Sequence, residues 1–278
     1  MSFLVLLLAV WIEKFSALRQ RIQRDGGWLL ELNKLEASPR WVNRPWLVLV
    51  VMVLLPVALL ALLLWVLDPV AYGLLALPVH LLVVIYSLGR GDLLADLGPF
   101  RDAWRREDLQ AAAHVAKRDL DIEADDGERL LERVQGHLLW QAYQSFFAVI
   151  FWYFLLGPVA ALSYRLLALA AEHSQNAGVA ERAAQMRHAF DWVPVRLLAA
   201  SFALVGNFVA VSRVMLHELL NWNISAAALI DKVGLVAGEI PAPVAGPDGI
   251  NSLDRLWELL LRSAVLWYAG FALWTVLA

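Results

Sequence analysis

The residues whose chemistry stands out are Asp191-Trp192-Val193-Pro194-Val195-Arg196 and Tyr164-Arg165, because each sets ionisable or phenolic groups beside a long apolar run. If that run lies in a bilayer, a guanidinium one turn inside it must snorkel, pair with a carboxylate or bind an anion. Left unpaired it costs at least about 2.5 kcal/mol. Pro194 suits a helix start, where its missing N–H costs nothing, and Asp191 just ahead is placed to cap it. Two readings follow. Either Tyr164, Arg165, Asp191 and Arg196 converge on one polar, anion-accepting pocket beneath the membrane surface, or Arg196 anchors to headgroups while Asp191 only caps. Gly157-Pro158 interrupts the apolar run ahead of Tyr164, so that segment is either a kinked span or a re-entrant hairpin. Glu258 and Arg262, four apart in the favourable order, read as a structural pair on one helix face.

Other chemistries fall to spacing. No Gly-x-x-x-x-Gly-Lys-Ser/Thr run exists to cradle a nucleotide. Gly89-Arg90-Gly91-Asp92 is too short for a dinucleotide fingerprint and reads as a helix stop at the headgroups. His217-Glu218 opens like a zinc-protease helix, but Asn221 stands where the second histidine belongs. Asp119, Asp121, Glu123 and Asp125 alternate like the start of a calcium loop, yet Ala124 occupies the position of the sharp turn, so a solvated acidic turn is expected. His80, alone in its apolar stretch, reads as a neutral group bonded to a neighbouring helix. The chain has no Cys, which removes disulfides, thiolate metal sites and cysteine nucleophiles. No metal ligand set and no cofactor is expected.

The elements that carry these residues are set by composition. With 60% hydrophobic and 18% charged residues and 13 Trp, the 278-residue chain holds more apolar surface than a water-soluble globule of its size can bury. The expected fold is an all-α integral membrane protein with five to six transmembrane helices and a cytoplasmic helical hairpin. Residues 1–278 read as one polytopic domain, with the helical insertion at 90–137 and a loop region at 213–255. A net charge of −3 leaves no field for nucleic acid; the bilayer is the expected partner.

Between Arg44 and Asp68 run 23 uncharged residues, about 34 Å of helix against a hydrocarbon core of about 30 Å. Further apolar runs cover 69–89, 138–164, 192–212 and 256 to the end. Ser2 to Leu18 is shorter, either a tilted span or an interfacial helix, and lacks the marks of a cleaved signal peptide. Arg19, Arg21, Arg24, Lys34, Arg40 and Arg44 crowd the first connection and Arg90 to Arg133 the third, so both are expected in the cytosol and the N-terminus in the periplasm. Asp108 is placed to cap a helix bearing Leu109, Ala112, Ala113 and Ala116. Asp125, three residues before Glu128, has capping-box spacing ahead of a stripe of Leu130, Leu131, Val134 and Leu138. The Gly- and Pro-rich stretch from Gly234 to Gly249 has no period and reads as loop.

The Asp191–Leu197 run, together with Phe146-Phe147-Ala148 through Gly157-Pro158 to Tyr164-Arg165, and Glu13 in the first segment, resembles the AmpE family of bacterial inner-membrane proteins. The resemblance implies a sensor or signal modulator of inducible β-lactamase and peptidoglycan recycling, beside the cytosolic amidase AmpD. It further implies a muropeptide-like or other anionic ligand and a cytosolic or membrane protein partner. The AmpE pattern is in turn similar to the CbiB/CobD cobalamin-pathway enzymes. Their acidic and Asn positions correspond here to Trp140, Gln141 and Gln144, with Ser145 at the glycine, and Leu166 to Leu169 replaces their polar stretch. Without carboxylates to hold Mg²⁺, a synthetase reaction loses its support. The expectation is a non-catalytic regulator; the alternative is a membrane enzyme or carrier for a phosphorylated or amphiphilic envelope metabolite.

Overall fold

The computed structural model describes residues 2–15, 22, 25–41, 43–69, 75–89, 93–240 and 247–277, and every regular element among them is helical. Arg19, Arg21, Arg24 and the Arg90-Gly91-Asp92 stop lie outside the described residues, as does 241–246 of the expected Gly234–Gly249 loop. The principal helices are α1 (Ser2–Phe15), α2 (Gly26–Ala37), α3 (Pro45–Leu67), α4 (Ala76–Ser87), α5 (Gly98–Arg105), α6 (Leu109–Leu120), α7 (Gly127–Leu156), α8 (Pro158–His173), α9 (Ala177–Val205), α10 (Phe208–Glu218), α11 (Ala226–Ala237) and α12 (Pro247–Leu277). Among the described residues α3, α7, α9 and the Gly249–Leu277 part of α12 are long and apolar enough to cross a bilayer. α4, with 12 residues, and α1, with 14, are shorter than the roughly 17–25 residues of a simple span.

The chain divides into two compact units, one of residues 1–90 with 148–191 and one of 91–147 with 192–278, with boundaries inside α7 and α9. In the first unit, Leu32 of α2, Met52 and Val53 of α3, Leu166 and Ala170 of α8 and Val179 of α9 share one buried cluster. α3 carries Pro56 in its interior, where the ring clashes with the preceding turn and removes a donor. A π-helical turn at Val50–Leu54 takes up the clash. The Met52 carbonyl, whose α-helical donor would be the N–H that Pro56 lacks, accepts instead from the Trp28 indole at 3.1 Å. Gly157 turns the chain back: at φ +80° it adopts a conformation open to glycine, Pro158 starts α8, and α8 packs on the Ala148–Leu156 end of α7. His80 contacts Tyr153 Oη through Nδ1 at 2.9 Å, the cross-helix hydrogen bond expected of it.

In the second unit α5 packs on α6, and α7 up to Phe147 packs on α11 and α12. Asp108 caps α6 through the Ala111 N–H at 2.9 Å, as expected. The α7 cap is Asp126, which accepts from the Arg129 N–H at 2.7 Å, and Asp125 pairs with the Arg129 side chain instead. The helix starts at Gly127, so Asp125 stands one residue too early for a cap. Leu130, Leu131, Val134 and Leu138 are buried as their spacing requires.

Two expectations are overturned. The described residues of 213–255 are mostly helix: Asn207 caps α10 and Ser225 caps α11, and the apolar face of Leu229, Ile230 and Val233 is buried. A Gly and Pro count taken across the whole stretch conceals that 12-residue amphipathic segment. Pro194 does not start a helix either; it lies inside α9. Residues 177–191 are rich in Ala, Glu, Arg, Gln and Met, strong helix formers, and Asn176 caps them through the Gly178 N–H at 2.9 Å.

Candidate functional site

In the first unit α8 and α9 are joined by the short turn at Ser174–Asn176, and polar side chains cross-link them. Tyr164 donates its phenolic hydrogen to Asp191 Oδ1 at 2.9 Å. Arg187, one turn before Asp191 on α9, approaches Asp191 Oδ2 at 3.7 Å and bonds Glu172 Oε1 at 2.7 Å. Tyr164, Asp191 and Arg187 are buried. Glu172, with a side chain 36% exposed, forms the outer end of the ladder. Pairs 164–191 and 172–187 run in opposite numerical order, so the two helices are antiparallel and the ladder fixes their register.

Arg165, adjacent to Tyr164, leaves the helix about 100° away and meets a different partner. It bonds Asp25 Oδ2 at 2.9 Å, and Asp25 is buried. Glu36 of α2, also buried, accepts from Ser174 Oγ and, at 3.0 Å, from the Gln175 N–H, which holds the α8–α9 turn. Of the four residues expected together, Tyr164 and Asp191 meet directly. Arg165 is paired with Asp25, and Asp191 is a ladder member rather than a cap for Pro194.

In the second unit Arg196 neither snorkels nor pairs with a carboxylate. Its Nε donates to Leu219 O at 2.6 Å, and Nη2 donates to Asn221 O at 2.7 Å and Glu218 O at 3.4 Å. Nη1 donates to Trp192 O at 3.0 Å, and the guanidinium lies 4.3 Å from the Trp192 ring centroid. The carbonyls at the end of α10 are those a helix C-terminus leaves unsatisfied, and a cation there also meets the negative end of the helix dipole. Besides water, a carboxylate or an anion, backbone carbonyls are a fourth kind of partner for a guanidinium at this depth. Glu258 and Arg262 form the expected i,i+4 pair at 3.0 Å, both well exposed.

The sequence alone does not single out five of the polar groups: Arg187, Asp25, Glu36, Glu172 and Asp231. Arg187 had a signal, since it stands four residues before Asp191. Asp25, Glu36, Glu172 and Asp231 had none, because only the fold chooses their neighbours. Asp231 of α11 packs its carboxylate over Gly136 of α7, with Oδ1 buried and unbonded. Burial, with the negative charge of Glu132 adding to it, raises its pKa from 3.8 to about 6. Among the described residues no group of three or more His, Asp or Glu is arranged to hold a metal ion. The ladder cross-links a helix pair: its carboxylates accept from a guanidinium and a phenol.

A family model described as regulatory signalling modulator protein AmpE matches residues 1–225. Protein AmpE of Shigella flexneri is 28% identical over 158 residues, covering 52% of this chain and 56% of that protein. The chain therefore matches little more than half the length of this curated relative. No solved structure matches.

Proposed function

The chain belongs to the AmpE family, and we propose that it acts in the bacterial inner membrane as a regulator of β-lactamase induction linked to peptidoglycan recycling. In this reading a muropeptide-like or other anionic ligand, or a protein partner, is read at Tyr164, Arg165 and Asp191 of the first unit or, as a separate contact, at Arg196 of the second, and the helices of 90–137 report to the cytosol. The observation that supports a switch is the α8–α9 ladder. Buried polar networks have few intermediate states, because a half-satisfied one is costly, and an incoming anion competes with Asp191 and Glu172 for Arg187. The regulatory description of the family supports the same class of function.

The test is complementation of a deletion strain with Asp191→Asn or Arg196→Lys at matched expression, reading β-lactamase induction. Loss of induction in both variants while the protein accumulates normally is the expected result. Wild-type induction in both retires the reading, and so does product formation by purified protein given muropeptides or lipid-linked precursors. Sidedness has its own test. The chain has no Cys, so single cysteines at Asn33, Asp68 and Asp121 report without background. Positions 33 and 121 should label from the cytosol and 68 from the periplasm; labelling of 33 from the periplasm overturns the topology.

A further inference from the structure

We infer that the second unit carries a binding site for a membrane lipid with a zwitterionic, primary-amine headgroup of the phosphoethanolamine class. The site is a cavity of about 310 Å³ where the end of α9, the start of α10 and the end of α11 meet the charged part of α12, close to the lower size limit of small-molecule pockets. Its charged lining is Arg255, Glu258 and Arg262 of α12 with Glu239 just beyond α11. Two cations and two anions leave no net charge, which matches a zwitterion and gives a net anion no advantage.

Position in the membrane comes from α12 and α9. Trp267 donates to Ser201 Oγ at 2.7 Å, and the cavity brings Val205 to Glu258 and Arg262, so the two helices run antiparallel. The cavity sits where the charges of α12 end. Beyond Arg262 no charged residue remains as far as Leu277. The cavity therefore lies at headgroup depth, and the large apolar side chains beside it, Leu204, Phe208, Val209, Leu261 and Val265, are all exposed, as acyl-chain contacts must be.

The headgroup assignment rests on which charges are committed. Glu258 and Arg262 hold each other at 3.0 Å. Arg255 has no ion-pair or hydrogen-bond partner among the described residues and stands open to a phosphodiester. Glu239 accepts one bond, from Asn207 Nδ2 at 2.7 Å, which leaves acceptor capacity for an ammonium. Carbonyls at the C-terminal ends of α9 and α11 bring partial negative charge to the same side. The approach there is close: a Cβ at Gly206 would stand 2.6 Å from Ala237 O.

A second observation points to Glu239. The Glu239 N–H bonds Val236 O at 3.3 Å and the Ile240 N–H bonds Leu235 O at 3.0 Å, the paired closure that ends many helices. The first of these two donors, Glu239, takes left-handed backbone at φ +50°, a position usually held by Gly. Glutamate takes this conformation at a local cost that glycine would not carry.

The experiment is a titration of delipidated full-length protein in detergent, read by thermal shift and native mass spectrometry. The probes are phosphatidylethanolamine, phosphatidylcholine, phosphatidylglycerol, free phosphoethanolamine and inorganic phosphate. Phosphatidylethanolamine should bind at least about tenfold more tightly than the choline lipid, which has no ammonium hydrogens, and than the glycerol lipid, which has no cation. Arg255→Ala and Glu239→Gln should each weaken it at least about fivefold, with the surface variant Arg129→Ala unchanged. Gln at 239 keeps an acceptor for Asn207, so lost folding does not explain the loss. Equal binding of the three lipids, or no effect of either variant, overturns the inference. Free phosphoethanolamine as tight as the lipid overturns the membrane source, and phosphate alone as tight overturns the zwitterion. Induction by the Arg255 variant is not part of the readout, so the outcome is separate from that of the regulatory reading.

Discussion

The α8–α9 ladder and the α12 cavity use the same side chains, arginine and carboxylate, in opposite conditions. In the ladder Arg187 and Asp191 are both under a tenth exposed, and water can replace neither partner. In the cavity Glu258 and Arg262 are each 62% exposed and are solvated with or without each other. Burial therefore decides whether a charge pair holds the fold or stays available to a ligand. Buried pairs are expensive to break because the survivor is stranded, and exposed ones contribute little.

The largest expected effect breaks that contrast directly. Arg187→Ala should destabilise the protein by about 3–5 kcal/mol, since it strands Asp191 inside the unit, while Arg255→Ala should stay within about 0.5 kcal/mol. Unfolding midpoints in one detergent measure both, and equal effects would abolish the distinction. Next comes Arg196→Ala, which removes the carbonyl bonds at the end of α10 and should cost about 2–3 kcal/mol. Arg196→Lys should recover only part of this, because an ammonium cannot fork across Leu219 and Asn221; full recovery would reduce the contact to simple charge.

Asp231 tests the same rule from the unpaired side. Its folded pKa, about 6, stands above the unfolded value near 3.8, so between these the folded state binds more protons and stability falls as pH rises. Above pH 6 the penalty is complete. After allowance for solvent screening, Asp231→Asn should gain on the order of 1 kcal/mol at pH 7 and nothing below about pH 4. A pH-independent gain would assign the effect to packing. A change of the same order is expected in Glu239→Gly, which should stabilise by roughly 0.5–1 kcal/mol by releasing the left-handed strain while losing preference for the amine lipid.

Much of the framework was legible in the sequence because it depends on local chemistry. The uncharged run before Asp68, the Asp108 cap, the stripe from Leu130 to Leu138 and the Glu258–Arg262 pair each follow from spacing along one helix. The errors share a cause. Pro194 reads as a helix boundary, yet the helix-forming residues before it outweigh one proline. For Arg196 the sequence suggests only side-chain and solvent partners, because it does not show where another helix leaves its carbonyls. Tyr164 and Asp191 meet, but Arg165 does not follow its neighbour, because adjacent helical residues point apart. Which acid each arginine meets is decided by tertiary packing, and no periodicity carries that information.

The indole of Trp28 on the Met52 carbonyl bears on how the protein is made. A proline inside α3 means that this helix enters the bilayer with a gap in its ladder, an acceptor that lipid cannot satisfy. Trp28 precedes α3 in the chain, so the donor has already been synthesised when the gap arrives. α2 then acts as a built-in insertion partner, and Trp28→Phe should show itself less in the finished protein than in the yield of chains that reach the membrane.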